Sequence, residues 1–197
     1  MKITGGIYRG KTIEGKVDRS VRPTTGRIRE AIFNLLRHGR FLNDARFIDD
    51  GGESLVAGRH VVDIFCGTGA LGLEALSRGA ERVTLVDQDP KTLVITQANV
   101  RRLSAEKQVR VLRSDSTQLP QALQACHLAF LDPPYGQGLM SKALESLVNN
   151  GWMARGAVVV AEHDFRDHFD LPLGLTLLDQ RTHDKTSISI LQYGDGS

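Results

Sequence analysis

Asp63-Ile64-Phe65-Cys66-Gly67-Thr68-Gly69-Ala70-Leu71-Gly72 is the segment that most constrains the architecture of this 197-residue chain. It joins a short apolar run, residues 61–65, to an apolar helical pattern that continues to residue 76. Its three glycines have the spacing G-x-G-x-x-G, and Asp87 follows about twenty residues later, at the end of the next apolar run. A tight turn alone could require glycines. The joint occurrence of strand, glycine loop, helix and acidic strand end instead predicts a nucleotide-binding βαβ unit.

Short apolar runs alternate with helical patterns beyond this loop. Strands are predicted at residues 83–86, 109–112, 128–131 and 157–161, and helices after Asp89-Pro90, near 117–124, and from Tyr135 to about Asn149. Such alternation is typical of a parallel sheet covered on both faces. Residues 175–178 and 187–191 have no helix between them and are predicted to pair antiparallel at the sheet edge. The predicted fold is α/β: a Rossmann-like doubly wound sheet, mostly parallel, with an antiparallel C-terminal strand pair and a small N-terminal hairpin arm.

The first forty residues differ from the rest in charge. They contain ten Lys or Arg and three acidic residues, whereas the remainder has 15 basic and 20 acidic residues. Residues 1–20 are predicted to form a basic arm or hairpin, and residues 21–197 the main domain, with a loop insertion over 39–58. The sparse apolar positions of the arm are Ile3, Ile7 and Ile13. The arm is either a solvated surface or a contact for a polyanion.

An amphipathic helix is predicted after the arm. Its apolar positions are Ile28, Ile32, Leu35 and Leu36, and its polar face is expected to carry Arg27, Arg29 and Glu30.

Several classes of protein are disfavoured by composition. The chain has no run of about 18 apolar residues, so no transmembrane helix is expected. Its first residues lack the apolar stretch of a secretory signal, and a cytoplasmic protein is expected. Cys66 and Cys126 are the only cysteines, and neither has a second Cys or His at metal-ligand spacing. No metal site is therefore predicted, and the six scattered histidines receive no role.

The acidic residues around the glycine loop favour S-adenosylmethionine as its ligand. A dinucleotide places its pyrophosphate against such a loop, where amides at the helix start stabilise negative charge. Asp63 would add a competing carboxylate four residues before Gly67. S-adenosylmethionine has no phosphate and carries an ammonium and a sulfonium. We expect Asp87 or Gln88 to bind its ribose. We expect Asp115 to contact the adenine, although an Asp at the start of a loop is more often a cap.

Asp132-Pro133-Pro134-Tyr135 directly follows the fourth predicted strand. Two prolines fix the backbone and remove two N–H donors, which leaves carbonyl acceptors. An exocyclic amine is a poor nucleophile because its lone pair is conjugated with the ring. If Asp132 and the Pro133 carbonyl accepted its N–H groups, the lone pair would become available for a methyl group. Tyr135 offers a face for stacking a base, which would have to be flipped out of any helix. A capped proline turn is the structural alternative.

These two motifs resemble those of the class I amino-methyltransferases. Over nearly its whole length the chain resembles, more narrowly, the RsmD-type small-subunit ribosomal RNA guanine-N2 methyltransferases. The narrower resemblance rests on Gly5-Gly6, Arg9-Gly10, Arg22-Pro23-Thr24, Arg29-Glu30-Ala31-Ile32-Phe33-Asn34 and the run 67–80. It implies a bacterial enzyme that methylates guanine N2 in ribosomal RNA, with an assembling small subunit or part of one as substrate. A monomer is expected.

The resemblance extends the predicted sites. The expected cofactor-binding residues are Asp63, Phe65, Gly67, Gly69, Asp87, Gln88, Asp115, Ser116 and Thr24. The expected RNA-binding residues are Lys2, Arg9, Lys11 and Arg22. The sequence departs from the family pattern in two places. Gly26 stands where an acidic residue is usual, and residues 39–58 are longer and more acidic than the usual connection.

Other functions remain as alternatives. The nearest is an adenine-N6 methyltransferase acting on DNA or RNA, because the tetrapeptide serves any exocyclic amine; the DNA enzymes usually have a separate recognition region, for which this chain lacks length. Methyltransferases that modify a protein glutamine more often have Asn at the position of Asp132. An NAD-dependent oxidoreductase is disfavoured by Asp63 and by the lack of a plausible hydride site. A non-catalytic RNA-binding module would have no use for Asp132.

Overall fold

A computed structural model describes residues 1–15, 26–39, 42 and 54–194 of the chain. The helices are α1 (Gly26–His38), α2 (Ala70–Ser77), α3 (Pro90–Arg102) and α4 (Leu139–Asn149). The strands are β1 (His60–Ile64), β2 (Arg82–Asp87), β3 (Val109–Arg113), β4 (Cys126–Leu131), β5 (Met153–Asp164), β6 (Leu175–His183) and β7 (Thr186–Tyr193).

The strands form one sheet in the order β3-β2-β1-β4-β5-β7-β6. Strands β1 to β5 pair in parallel, whereas β7 pairs antiparallel with both β5 and β6. The predicted fold class is therefore confirmed, including the C-terminal antiparallel pair. The strand order reverses between β1 and β4, and ligands of doubly wound sheets bind at such a switch point. The glycine loop follows β1 and the proline tetrapeptide follows β4, so the topology brings both motifs to this point.

The short helix predicted near residues 117–124 is wrong. This segment has an irregular backbone instead, with bends at residues 118 and 123–124. Pro120 has no N–H group and disfavours the helical conformation of Leu119. The backbone is held by partners remote in sequence: Leu119 N–H donates to Ser146 Oγ (2.8 Å), and the Trp152 indole donates to the Pro120 carbonyl (2.8 Å).

The N-terminal residues form a hairpin whose two strands meet at the bridge between Lys2 and Thr12. Ile3 and Ile13 are buried in the core on one face of the sheet, whereas Ile7, the third expected apolar anchor, is 75% exposed at the hairpin tip. Gly6 allows the tip to approach α2, because a Cβ at this position would lie 1.6 Å from the Ser77 carbonyl oxygen. The hairpin is thus packed against the body of the protein.

Arg29 was predicted on the polar face of α1, and this prediction is wrong. Its side chain is 2% exposed and lies between the hairpin and α2. Its Nη2 donates to the Lys2 carbonyl (2.6 Å), and its Nε lies 3.3 Å from Glu74 Oε2. A buried guanidinium requires such partners because it has lost its hydration. The periodicity of α1 could not reveal an ion pair whose acid lies in another helix.

Glu74 is the acidic partner, and it joins three elements. The side chain is fully buried on α2. Its two oxygens accept hydrogen bonds from the Thr4 amide (2.9 Å), the Thr4 hydroxyl (2.8 Å) and the Gly5 amide (2.8 Å) of the hairpin. They also accept from Arg78 Nε (2.8 Å) and form the ion pair with Arg29 of α1. One carboxylate thereby fixes the hairpin and α1 against α2.

We predict that Glu74→Ala lowers the free energy of unfolding by about 3–5 kcal/mol, because it leaves the Arg29 charge buried without its partner. Urea denaturation measures this change. The control is Glu81→Ala, whose carboxylate is 68% exposed and 4.0 Å from Arg82; a surface substitution of this kind changes stability by about 0.5 kcal/mol or less. Equal losses in the two variants would contradict a central role for Glu74.

Candidate active site

The carboxyl ends of three neighbouring strands form the site. In the sheet register, Ile64 of β1 pairs with Val86 of β2 and with Leu131 of β4. The residues that follow these three are Phe65, Asp87 and Asp132, which therefore emerge side by side at one edge of the sheet. The structure thus brings the glycine loop, the acidic end of β2 and the start of the proline tetrapeptide together.

The glycine loop has an unusual backbone conformation. Phe65 has a φ angle of +62°, a left-handed value that is uncommon for a residue with a Cβ. Cys66 N–H donates to the Val86 carbonyl (2.9 Å), and Gly69 N–H donates to the Cys66 carbonyl (2.8 Å), directly before α2 begins. Gly72 permits α2 to pack on the sheet, since a Cβ there would lie 2.3 Å from Leu85 Cδ2. Strained backbone of this kind is concentrated at functional sites.

The Asp87 carboxylate accepts a hydrogen bond from a backbone amide of the glycine loop, a donor that a phosphate could otherwise use. Its Oδ2 accepts the N–H of Gly67 (2.9 Å), and its Oδ1 accepts the N–H of Asp89 (2.9 Å). A pyrophosphate bound to this loop would compete with the Asp87 carboxylate for the Gly67 donor and would be repelled by it. Dinucleotide sites also carry an acid at this strand end, where it binds the ribose, so Asp87 alone is compatible with either ligand.

Asp63 adds a second negative group beneath the loop. It is 1% exposed, and its Oδ2 accepts the N–H of Gly72 (2.8 Å). The pKa of Asp63 is raised to about 7, mainly by burial; the hydrogen bond from Gly72 opposes this rise, and the charges of Asp132 and Asp87 contribute to it. Three carboxylates near one another favour a cationic ligand, because a positive charge would relieve their mutual repulsion. The residues present therefore fit S-adenosylmethionine.

The end of β3 lies beside Asp87, since Ser114 N–H donates to the Asp87 carbonyl (3.1 Å). Asp115 is exposed, and its Oδ1 accepts from the amide and the hydroxyl of Thr117 (2.8 Å each). The loop cap considered from the sequence is thus present, and an adenine contact by Asp115 stays a prediction. Ser116 is buried and Gln88 is exposed.

The tetrapeptide begins with the half-buried Asp132 and continues through the buried Pro133 and the exposed Pro134. The ring of Tyr135 is half-buried and anchored at its hydroxyl, which lies 3.2 Å from Glu162 Oε1 on β5 and 3.3 Å from Thr186 Oγ1 on β7. Burial is the main cause that raises the pKa of Tyr135 above its ordinary value, so its hydroxyl stays neutral at physiological pH. A fixed, neutral ring is a suitable platform for stacking.

Sequence reasoning missed Glu162 and Thr186. The available signal was a glutamate directly after the predicted strand 157–161, within a strand that the structure extends to Asp164. Glu162 is 3% exposed, and a buried carboxylate of this kind usually has a specific partner.

A cavity of about 170 Å³ adjoins the tetrapeptide. Its walls include Pro133, Pro134, Tyr135, Met140, His163 and Phe169. The His163 ring is buried and meets the Phe169 ring edge-on, with centroids 4.9 Å apart. Burial lowers the pKa of His163, so the ring is neutral at pH 7. These walls also include the polar residues Ser141, Asp167 and His168, so the cavity offers both ring contacts and hydrogen-bonding groups.

Lys2, Arg9 and Lys11 are exposed on the hairpin, and Lys11 Nζ lies 4.9 Å from the centroid of the Tyr8 ring. Arg22 and Thr24 lie outside the described residues, as does most of the predicted insertion 39–58. Gly26 begins α1, whose first turn contains no acidic residue. The roles assigned to these residues stay predictions.

Two kinds of feature are not found in the described parts of the chain. Within those ranges, no three His, Cys, Asp or Glu side chains are grouped so that they could hold a metal ion. Among the same residues, no helix has the length and apolar character needed to span a bilayer.

Comparisons with known proteins agree with this geometry. A family model described as "Conserved hypothetical protein 95" matches residues 1–192. Ribosomal RNA small subunit methyltransferase D of Escherichia coli (strain K12) is 32% identical, over 83% of this chain and 75% of its own. Putative rRNA methyltransferase YlbH of Bacillus subtilis (strain 168) is 32% identical, over 96% of this chain and 97% of its own length. A solved structure, putative methyltransferase yhhF from Escherichia coli, has a TM-score of 0.78 and 28% identity, with coverage of 100% and 99%.

We predict that affinity for S-adenosylmethionine falls as the pH decreases below 7. Asp63, with its pKa of about 7, becomes neutral on acidification and loses its attraction for the ligand's ammonium. Since the bound ammonium would lower this pKa, binding releases a proton, and affinity should fall by up to about tenfold per pH unit. Calorimetry from about pH 5.5 to about pH 7.5 measures the effect, and the Asp63→Asn curve accounts for the ligand's own amine, which begins to titrate near the upper end of this range.

Asp63→Asn should bind more weakly at pH 7.5 and show little pH dependence, whereas Glu81→Gln, an exposed control, should match the wild-type curve. A wild-type affinity that is constant across this range would contradict an ionisable Asp63 beside the ligand.

Proposed function

Since the chain belongs to the family described as Conserved hypothetical protein 95, the RsmD-type family that its sequence resembles, we propose that it transfers a methyl group from S-adenosylmethionine to the N2 amine of a guanine in small-subunit ribosomal RNA. The relatives named as ribosomal RNA methyltransferases support the RNA substrate. The family resemblance supports the choice of guanine N2. We further propose that the enzyme acts as a monomer in the bacterial cytoplasm on an assembling small subunit.

The observation that carries this proposal is that the two motifs leave neighbouring strand ends. Ile64 of β1 pairs with Leu131 of β4, so the glycine loop and Asp132 begin side by side. The proposed methyl-donor site and the proposed amine-binding site therefore share one crevice. Direct transfer between two bound reactants requires this proximity, since holding both in line replaces a bimolecular encounter.

The residues of the tetrapeptide would prepare the amine for attack. The Asp132 carboxylate and the Pro133 carbonyl would accept its two N–H groups and so localise the nitrogen lone pair toward the donor. S-adenosylmethionine supplies a methyl group that is already activated by its sulfonium. Transfer would break the bond between the methyl group and the donor sulfur and leave a neutral thioether, while the nitrogen would become cationic until its proton passed to Asp132 or to water. The Tyr135 ring, held through its hydroxyl by Glu162, would stack against the base.

The glycine loop would hold the donor. Asp63 would attract the ammonium group, and Asp87, already fixed by the amides of Gly67 and Asp89, would face the ribose. Electrostatic and positional effects would then account for most of the rate enhancement, because none of these residues forms a covalent intermediate.

We predict that Asp132→Ala lowers turnover by about 10²- to 10⁴-fold, the range typical of a side chain that handles a proton in the transition state. Affinity for S-adenosylmethionine should change little, since loss of the Asp132 charge removes one attraction for the cation but also lowers the pKa of Asp63 and so keeps that carboxylate ionised. Single-turnover methyl transfer and calorimetry measure the two effects. The matched control is Asp179→Ala, which removes an acidic partner of Arg181 on β6 and should leave both turnover and cofactor affinity unchanged. Near-normal turnover in Asp132→Ala with intact cofactor binding would contradict this mechanism.

We predict that reversing the charges of Lys2, Arg9 and Lys11 weakens RNA binding without changing affinity for S-adenosylmethionine. The slope of log K against log salt should become shallower by about 0.7–0.9 for each lost phosphate contact. The control is charge reversal at three exposed residues near the start of β2 and β3, namely Arg82, Lys107 and Arg110. It should leave the slope unchanged. An identical loss of RNA affinity in both triple variants would contradict a specific role for the hairpin.

Mass mapping of ribosomal RNA from cells lacking this protein tests the substrate. Loss of one N2-methylguanine from small-subunit RNA is expected, with restoration by the wild-type protein but not by Asp132→Ala. Loss of an N6-methyladenine instead would support the alternative methyltransferase, and an unchanged RNA would contradict the proposed substrate.

A further inference from the structure

One buried side chain on α3 bonds both to the N-terminal hairpin and to the glycine loop. Asn99 is fully buried. Its Oδ1 accepts the N–H of Glu14 (2.7 Å), and its Nδ2 donates to the Glu14 carbonyl (3.0 Å) and to the Thr68 carbonyl (3.0 Å). Glu14 lies two residues after Thr12, whose bridge to Lys2 joins the two sides of the hairpin, and Thr68 lies between the first two glycines of the loop. The two segments are therefore joined through one amide group.

The chemistry at this position calls for asparagine. The hydrogen bonds to Glu14 require one donor and one acceptor, and the bond to Thr68 requires a second donor. Aspartate would lose both donors, and glutamine would carry the amide one methylene further from the helix. The position is fully buried, so water cannot easily replace a lost partner.

A second side chain of α3, that of Thr96, also holds the glycine loop. One turn earlier on α3, the Thr96 hydroxyl donates to the Gly67 carbonyl (2.7 Å). Helix α3 thus holds two successive carbonyls of the glycine loop, those of Gly67 and Thr68. This arrangement turns their oxygens toward α3, while the Gly67 N–H points to Asp87. Of these two anchors, Asn99 is the one that also binds the hairpin.

We propose that Asn99 is a positioning residue that couples the N-terminal hairpin to the glycine loop, so that RNA on the hairpin and S-adenosylmethionine on the loop strengthen each other's binding. The RNA part of this inference rests on the proposed function. RNA bound to the exposed side of the hairpin would hold the Glu14 backbone in the position that bonds Asn99, and Asn99 would thereby hold the Thr68 carbonyl. Coupling between binding sites is reciprocal, so each ligand must change the affinity of the other by the same factor.

The experiment measures affinity for S-adenosylmethionine by calorimetry, using the full chain with and without a small-subunit ribosomal RNA fragment. For the wild type, RNA should tighten cofactor binding by about 5- to 150-fold, the usual range of such coupling. In Asn99→Ala the factor should fall to about 1, while the affinity for RNA alone stays within about twofold. Asn99→Ser is a milder variant for use if the alanine protein does not fold.

The matched control is Arg102→Ala. Arg102 is on the same helix and contacts the same residue of the hairpin end, with its Nη2 donating to Glu14 Oε1 (2.6 Å), but both side chains are about half exposed. This variant should keep the wild-type coupling factor. A coupling factor near 1 in the wild type, or an unchanged factor in both Asn99 variants, would overturn the proposal, and so would an equal loss in Arg102→Ala.

A second measurement needs no RNA. Adding S-adenosylmethionine to the wild type should slow hydrogen exchange at the Glu14 amide by at least about fivefold, and this protection should be absent in Asn99→Ser. A purely structural role would change exchange equally with and without the cofactor and would overturn the proposal. If the wild type methylates no ribosomal RNA, the proposed function fails, whereas cofactor-dependent protection of Glu14 would still establish the link through Asn99.

Discussion

The buried Asp63, whose carboxylate accepts the Gly72 amide at the start of α2, determines what the glycine loop can bind. The spacing of the three glycines is that of a dinucleotide site, in which free amides face a pyrophosphate. Here the loop amide already has an acidic partner, and the buried Asp63 adds a second carboxylate directly beneath. The same backbone turn that elsewhere attracts an anion is therefore surrounded by negative charge. A cationic nucleoside is the ligand that this arrangement favours.

The rest of the molecule keeps this loop in place. Helix α3 holds the loop carbonyls through Thr96 and Asn99, and α2 is held from behind by the hairpin through the fully buried Glu74. The hairpin is thus both the proposed RNA contact and a structural support of the cofactor site. This double role explains why Ile3 and Ile13 are buried while Lys2, Arg9 and Lys11 are exposed.

The fold could be predicted from local patterns, because apolar runs, the Asp89-Pro90 helix start and the glycine loop are all encoded by neighbours in sequence. Both motifs of the candidate site were likewise visible. The errors arose where a distant partner decides the environment of a residue. Arg29 is buried because Glu74 of α2 lies opposite it. Glu162 of β5 was not identified because its partner Tyr135 follows a different strand, β4. Periodicity in one helix contains no information about such pairs.

Charge selection at the glycine loop can be measured directly by comparing how S-adenosylmethionine and NAD change the melting temperature of the purified protein. Binding to the native state raises that temperature by an amount that grows with the logarithm of the ratio of ligand concentration to Kd. S-adenosylmethionine should raise it progressively with concentration, and NAD should leave it unchanged. A rise with NAD and none with S-adenosylmethionine would contradict the assignment of this site.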